Sequence, residues 1–188
     1  MMNEQEAIIL AKEGRREGFA RIYELFAGYL FTVAIRILND RSLAEDVLQE
    51  TFEAAFKAIG GFEGKSRLKT WLYTILYRTA IHKRSERKAE NTLLNESSEL
   101  HECTSSFADN VERKLLVEEA LKILDQREKS MILMYYRDDL SCCEIAQVTD
   151  CSESNVKIIL FRARKKIEQI ILGAESELSD SLSIGGKK

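Results

Sequence analysis

The sequence predicts an all-α protein of two small helical domains joined by a flexible linker, the C-terminal one with a helix-turn-helix. Three observations carry this prediction. The 188 residues include no proline and only nine glycines, so the usual punctuation of β-rich folds is missing. Apolar residues recur at three-to-four-residue steps along most of the chain. Residues 89–108 are rich in Ser, Glu and Asn with few large apolar side chains, which is typical of a linker.

The bulk composition predicts a soluble protein without metal or cofactor. Hydrophobic residues make up 45% of the chain and charged residues 31%. No apolar run approaches the roughly 20 residues that span a bilayer, and the N-terminus lacks the pattern of a signal peptide. We therefore expect a cytoplasmic location and no membrane insertion. Cys142 and Cys143 are adjacent, which is not the spacing of a zinc site or a redox dithiol, so reduced thiols are expected.

The first half should contain helices over 4–14, 17–38 and 42–59. In the second of these, apolar residues from Phe19 to Ile37 keep helical spacing and are expected in the core. Asn39 and Asp40 should end that helix. Ser42 followed by Glu45 has the spacing of a capping box, which would open the third helix.

The third helix has a polar, acidic edge opposite its apolar side. Its members recur at three-to-four-residue steps, and they are Asp46, Gln49, Glu50 and Glu53. This acidic stripe is either a solvated outer face or a surface that docks on a basic protein.

Residues 66–88 form a basic helix with interleaved aromatic residues. The side predicted to face the core carries Leu68, Trp71, Leu72, Ile75 and Thr79. A second stripe carries Tyr73, Tyr77, Ile81 and Arg84. Flanking basic residues are Arg67, Lys69, Arg78, His82, Lys83, Arg87 and Lys88. Rings beside cations suit single-stranded nucleic acid, because a ring stacks on a base while cations follow the phosphates. The alternative is an ordinary solvated helix.

The charge distribution separates two basic segments from an otherwise acidic chain. Net charge is −3, yet residues 61–90 hold eight basic and three acidic side chains, and residues 151–172 hold five and two. A protein that binds DNA alone is usually basic throughout. This distribution favours a protein that reaches DNA while docked on a larger partner.

The second half predicts a helix-turn-helix. After a helix over 111–124, capping boxes at Asp125 and Ser141 open two further helices, and Ser152 caps a final helix over 153–172. Residues 173–188 are expected to fray. The outward side of the final helix carries Ser154, Asn155, Lys157, Ile158, Phe161, Arg162 and Lys165. Polar groups near its start are placed to reach base edges, and the cations to hold phosphates. A generic bundle helix with basic residues at its C-terminus is the alternative.

Three stretches together resemble the extracytoplasmic-function sigma factors of bacterial RNA polymerase. AEDVLQETFEAAFKAI is similar to the polymerase-binding helix of that family, and SRLKTWLYTILYRTAIHKR to its promoter-melting helix. LSCCEIAQVTDCSESNVKIILFRARKKI is similar to its region 4 helix-turn-helix. The resemblance implies sigma region 2 over 1–88, a linker over 89–108, region 4 over 109–172 and a tail over 173–188.

The resemblance also implies partners and residue roles. Asp46, Gln49, Glu50 and Glu53 would dock on core RNA polymerase. The stretch from Ser154 to Lys165 would read the minus-thirty-five promoter element, and an anti-sigma factor is expected. Residues expected at the minus-ten element are Phe62, Lys65, Arg67, Lys69, Tyr73, Tyr77, Arg78, His82, Lys83 and Arg84.

The sequence departs from the family pattern at three places. Ile158-Ile159 stands where the family commonly has a Ser-Arg pair, and His82 stands where an aspartate is common. Cys142-Cys143 stands where an aromatic and an acidic residue are more common.

Rival interpretations are a sigma-like decoy that sequesters an anti-sigma factor, a stand-alone helix-turn-helix regulator and, least favoured, an enzyme. No catalytic cluster is evident in the sequence, so a binding protein without catalysis is expected.

Overall fold

The structure is a computed structural model that describes residues 2–93 and 121–184, with side chains described except at 88, 90–93 and 173–184. The chain divides into two compact units, Met1–Thr104 and Ser105–Lys188. The described residues of both units are helical, with no β-strand among them. The predicted all-α fold class is confirmed. Most of the expected linker and of the expected helix over 111–124 lies outside the described residues.

The N-terminal unit is built from four α-helices and one short 3-10 turn. The helices are α1 (Glu4–Lys12), α2 (Arg16–Leu38), α3 (Arg41–Ala58) and α4 (Leu68–Leu93), and the 3-10 turn is Ile59–Gly61. Asn39 adopts a left-handed conformation with φ 53° and ends α2, as predicted. Helix α4 continues five residues beyond the predicted boundary at 88, because the sequence there contains good helix formers such as Ala89 and Glu90.

The core of this unit lies where α2, α3 and α4 meet. Fully buried side chains include Ile22, Leu30, Val47, Leu72 and Leu76. Helix α1 packs across α2 at Gly18, where an added Cβ would lie 2.4 Å from the backbone nitrogen of Ala11. The two helix backbones therefore approach closely because residue 18 has no side chain.

The N-terminus of α3 is capped differently from the prediction. The side chain of Asp40 accepts a hydrogen bond from the backbone N–H of Leu43 at 3.0 Å, and Asp40, not Ser42, is the N-cap. The predicted capping box of Ser42 with Glu45 is wrong, because Glu45 instead accepts from Arg41 Nε at 3.1 Å. Asp40 also pairs with Arg87 on α4 at 2.5 Å, which ties the helix start to the rest of the unit.

Replacing Asp40 and Ser42 in turn tests this cap. Asp40→Ala should lower the free energy of unfolding by about 1 kcal/mol, the usual cost of losing an N-cap, whereas Ser42→Ala should leave it nearly unchanged. The hydrogen bond from Leu43, followed by that from Arg87, lowers the pKa of Asp40. The stabilisation is therefore present above the ordinary carboxyl pKa and is lost as the pH falls through the lower folded value. Urea unfolding followed by the fluorescence of Trp71, the single tryptophan, measures both variants.

Helix α2 has the length and apolar composition of a membrane span. Its 23 residues have a mean hydropathy of 1.2 over the most apolar window, and among the described residues it is the one helix that passes this test. The apolar side carries buried Ile22, Phe26, Leu30 and Val33, and it faces the other helices of the unit. A third of the window is buried, so the core accounts for that part of its apolar composition.

The C-terminal unit contains a helix-turn-helix preceded by one described helix. These are α5 (Gln126–Tyr136), α6 (Cys142–Thr149) and α7 (Glu153–Ile184). The predicted capping boxes at Asp125 and Ser141 are both present, and Ser152 Oγ accepts from the backbone N–H of Asn155. Asp150, with φ 55°, turns the chain between α6 and α7.

Helix α7 packs on both preceding helices through an apolar side. Val156, Leu160 and Ala163 are buried against a core that includes Met131 and Ile145. The helix extends to Ile184, so the predicted end at 172 is wrong. Gly173 is a possible stop signal, but a glycine inside a helix costs only about 1 kcal/mol relative to alanine, and residues 173–184 contain no proline, so the helix continues past it.

Candidate functional site

The acidic stripe lies on the solvent side of α3. All its members are exposed: Asp46, Gln49, Glu50 and Glu53. Gln49 Nε2 donates a hydrogen bond to Glu53 Oε1 at 2.9 Å. Each member is presented outward because Val47, Leu48, Thr51, Phe52 and Ala55 hold the opposite side of α3 in the core.

An apolar groove lies beside the acidic stripe, between α2 and α3. It encloses about 410 Å³, and its lining residues are Tyr23, Glu45, Leu48, Gln49, Phe52, Glu53 and Phe56. The rings of Tyr23 and Phe56 lie 4.8 and 5.6 Å from that of Phe52. Gln49 and Glu53 belong to both features, so an apolar floor and an acidic edge form one continuous surface. No pattern in the sequence indicated this groove, because its lining comes from two separate helices.

The basic face of α4 presents most of the predicted cations to solvent. Arg67, Arg78 and His82 are exposed, and Lys83 and Arg84 are half-buried. In the loop before α4, exposed Lys65 pairs with Glu63. Lys69 Nζ lies 4.3 Å from the centre of the Tyr29 ring, and Tyr77 is half-buried. The expected mixture of cations with aromatic edges is therefore present on this side of the unit.

Two residues assigned to the minus-ten surface lie in the core instead. Tyr73 is 2% exposed and its ring lies 6.3 Å from that of Tyr29, while Phe62 is 7% exposed and packs 5.2 Å from the ring of Trp71. These two assignments are corrected. The buried arc of α4 is centred on Leu68, Leu72, Leu76 and Ala80, together with Tyr73. Trp71, Ile75 and Thr79, which were expected inside, are half-buried at its edge. Helix α4 contacts both α2 and α3, which widens and rotates the arc.

The acidic stripe and the basic face of α4 meet at one ion pair. Lys83 Nζ lies 2.8 Å from Glu50 Oε1. The hydrogen bond and the charge of Glu50 raise the pKa of Lys83. His82, one residue earlier, lies 3.5 Å from Glu86 and pairs with it when protonated. The two surfaces are therefore neighbours on one unit.

The outward face of α7 carries every residue predicted there. All are exposed: Ser154, Asn155, Lys157, Ile158, Phe161, Arg162 and Lys165. Lys157 pairs with Glu153 at 2.6 Å, which raises the pKa of Lys157, and Lys165 lies 3.4 Å from Glu168. These pairs lie within one turn of α7 and leave both cations at the surface.

Two further cations of α7 are tied to α5. Arg164 Nε donates to the hydroxyl of Tyr136 at 2.8 Å, and its guanidinium lies 5.2 Å from the centre of the Tyr135 ring. Lys166 Nζ donates to both carboxylate oxygens of the buried Glu128 at 2.7 Å. These contacts fix α7 on α5 and distinguish structural cations from those that face outward.

In the described part of the chain, no cluster of His, Cys, Asp and Glu could hold a metal ion. Cys142, Cys143 and Cys151 are free thiols, and Arg127 Nη2 donates to Cys151 Sγ at 2.7 Å. The thiols lie in and beside the helix-turn-helix.

The N-terminal unit carries an acidic edge with an aromatic groove and, beside them, a basic helix with aromatic residues. The C-terminal unit contains a helix-turn-helix, so the class that these features favour is a DNA-binding transcription factor. Residues 22–90 match the family model for sigma-70 region 2, and residues 114–167 match that for sigma-70 region 4. The chain belongs to the sigma-70 family, in its extracytoplasmic-function group, and is an RNA polymerase sigma factor.

Curated relatives agree with this assignment, and one solved structure shares the fold. The chain is 30% identical over 165 residues to the RNA polymerase sigma factor YlaC of Bacillus subtilis, covering 85% of this chain and 92% of the relative. It is 28% identical over 151 residues to the ECF sigma factor SigM of the same organism, covering 79% and 92%. The sigma factor RpoE of Bartonella quintana, solved with the anti-sigma factor NepR, shares the fold with a TM-score of 0.68 at 22% identity, covering 81% of this chain and 96% of that one.

Proposed function

We propose that residues 1–88 bind core RNA polymerase and the minus-ten element, and that residues 109–172 read the minus-thirty-five element, with 89–108 as the linker. The observation that carries this proposal is the continuous surface of α3, where an acidic edge adjoins an aromatic groove. Such a surface fits a partner that is basic and partly apolar. The first unit would therefore hold the polymerase while the basic faces meet DNA.

The polymerase contact is assigned to Asp46, Gln49, Glu50 and Glu53 together with the groove. Carboxylates at a rim steer association with a basic partner, while buried aromatic contacts supply affinity at the centre of an interface. The rings of Tyr23, Phe52 and Phe56 provide such a centre beside the carboxylates. This combination supports a protein partner over a simple solvated face.

The minus-ten contact is assigned to α4 and the loop before it. The residues proposed are Lys65, Arg67, Lys69, Tyr77, Arg78, His82, Lys83 and Arg84. Their mixture of cations with aromatic edges supports binding of unpaired bases. Opening a duplex and extruding a base costs a few kcal/mol, which stacking and phosphate contacts would offset.

The minus-thirty-five contact is assigned to the outward face of α7, and removing cations from that face tests it. Arg162→Ala combined with Lys165→Ala should weaken binding to the upstream duplex at least about tenfold, because hydrogen bonds to charged groups are strong. The slope of log affinity against log salt concentration should decrease in magnitude by about two, because each lost phosphate contact removes about one. Fluorescence anisotropy of the holoenzyme on a labelled upstream duplex measures both quantities.

A matched control is Arg16→Ala with Lys57→Ala, which removes the same two residue types from exposed positions of the first unit. This control should change neither the affinity nor the salt slope. If both double variants bind the upstream duplex with the same affinity and salt slope, the outward face of α7 does not contact this DNA.

The chain would act as a regulatory subunit without catalysis of its own, in the cytoplasm where RNA polymerase works. The similar RpoE structure was solved with the anti-sigma factor NepR, which supports control of this chain by an anti-sigma factor. Release of the chain on a stress or envelope signal is part of the same proposal.

Run-off transcription tests the proposed function as a whole. The full chain is mixed with core RNA polymerase and a library of promoter fragments, and discrete transcripts that depend on the chain are expected. Binding to an anti-sigma factor without any transcript would favour the decoy. Binding to duplex DNA without binding to core would favour a stand-alone regulator.

A further inference from the structure

The most outward line of α7 has an apolar centre. Ser154, Ile158, Phe161 and Lys165 follow one another at four, three and four residues, which places them along one side of the helix. Ile158 is 49% exposed and Phe161 58%. Two large apolar side chains, one turn apart, therefore occupy the middle of the face proposed to meet DNA.

Packing within the unit does not account for this pair. The inward side of α7 is already complete, since Val156, Leu160 and Ala163 are buried at 1% exposure or less. Single exposed apolar residues are ordinary, but an adjacent pair on a proposed binding face indicates a contact surface. Among the described residues of this unit nothing covers Ile158 and Phe161, which leaves both side chains available to another molecule.

The charges around the pair favour DNA as that molecule. Lys157 and Arg162 adjoin Ile158 and Phe161 in sequence, Lys165 follows one turn later, and all three are exposed. Cations on both sides of an apolar centre match a groove with phosphates along both edges and bases along its floor. An apolar docking site for a protein would not require this cationic frame.

The chemistry of the major groove then identifies the base. Thymine is the base that presents an apolar group there, its C5-methyl, whereas the other base edges present hydrogen-bond donors and acceptors. An isoleucine side chain has neither donor nor acceptor, so it would leave the polar edge of adenine, cytosine or guanine without a partner.

We infer that Ile158, supported by Phe161, reads the C5-methyl group of a thymine in the upstream promoter element. This inference rests on the proposed function of α7 and assigns a specificity role to a position where the family commonly has a polar residue. The remaining outward residues, Ser154 and Asn155, stay available for hydrogen bonds to neighbouring bases.

Replacing thymine by deoxyuridine tests the inference, because it removes the methyl group alone. An upstream duplex is first selected from a randomised library with the holoenzyme, and each thymine in it is then changed singly to deoxyuridine. At one or two positions the affinity should fall about fourfold, the value expected for one buried methyl group. In an Ile158→Ala variant the same substitutions should have no effect.

The matched control is Leu172→Ala, which removes an apolar side chain of 57% exposure from the same helix beyond the proposed DNA face. This variant should keep the fourfold difference between thymine and deoxyuridine. Circular dichroism checks that both variants retain their helix content.

Several results would overturn the inference. These are a selected site without thymine, no effect of deoxyuridine at any position, or an effect that persists in Ile158→Ala. Loss of core polymerase binding in Ile158→Ala would show that the pair contacts protein instead. If duplex binding still depends on Arg162 and Lys165, these results leave the proposed function standing. If the holoenzyme does not bind the upstream duplex at all, the proposed function fails with the inference.

Discussion

Reversing two charges on α3, in an Asp46→Lys/Glu50→Lys variant, should abolish binding to core RNA polymerase while the helices remain folded. Both side chains are exposed and the core side of α3 is unaffected. Placing two lysines against a basic partner exchanges attraction for repulsion, which costs several kcal/mol at a protein interface. The expected loss is therefore more than about a hundredfold in affinity, measured by gel filtration of the chain with core polymerase.

The Glu50→Lys change also places a second ammonium group beside Lys83, which removes the ion pair between α3 and α4. Exposed pairs contribute little to stability, so the fold should tolerate this change. The control Glu13→Lys/Glu24→Lys alters net charge by the same amount at exposed positions outside α3 and should bind core normally. Undiminished assembly of the Asp46→Lys/Glu50→Lys chain would refute the docking assignment.

Adding a side chain at position 18 should destabilise the N-terminal unit. In Gly18→Ala the new Cβ would lie 2.4 Å from Ala11 N and 2.7 Å from Ala7 O, both backbone atoms. Helix α1 must shift as a body to relieve this overlap. Overpacking of this kind typically costs about 1–3 kcal/mol, part of which the better helix propensity of alanine offsets. Gly18→Val should be worse, because it is larger and branched.

Gly28→Ala is the matched control, since it makes the same change in the same helix. No atom lies within 4 Å of the new Cβ at this position. Alanine should therefore raise the free energy of unfolding by roughly 0.5–1 kcal/mol through its helix propensity alone. Denaturation followed by Trp71 fluorescence reports on this unit, and a change of the same sign in both variants would contradict the close packing of α1 on α2.

Local signals predicted much of the fold. The caps at Asp125, Ser141 and Ser152 were predictable because each joins groups no more than three residues apart. Helical spacing likewise predicted the acidic stripe of α3 and the outward face of α7. Such patterns depend on the geometry of one helix, which the sequence alone specifies.

Features that depend on distant residues were not predictable in the same way. Asp40 and Ser42 are both good capping residues, and the structure favours Asp40, which Arg87 also contacts from 47 positions away. Tyr73 is amphipathic, so its sequence context suits either a surface stripe or the edge of a core. Its burial follows from the packing of α4 on two helices at once. The groove and the contact of Arg164 with Tyr136 also join separate helices, and no local pattern signals them.

The contact between Lys83 and Glu50 couples the charges of the two proposed surfaces of the first unit. In the free chain each side chain neutralises the other. A basic partner that takes Glu50 would leave the ammonium of Lys83 without its counter-charge, and that ammonium would then attract a phosphate more strongly. Because such linkage is reciprocal, DNA bound by Lys83 would in turn raise the affinity of the contact between Glu50 and the partner. The unit would thus favour forming both contacts together over forming either one alone.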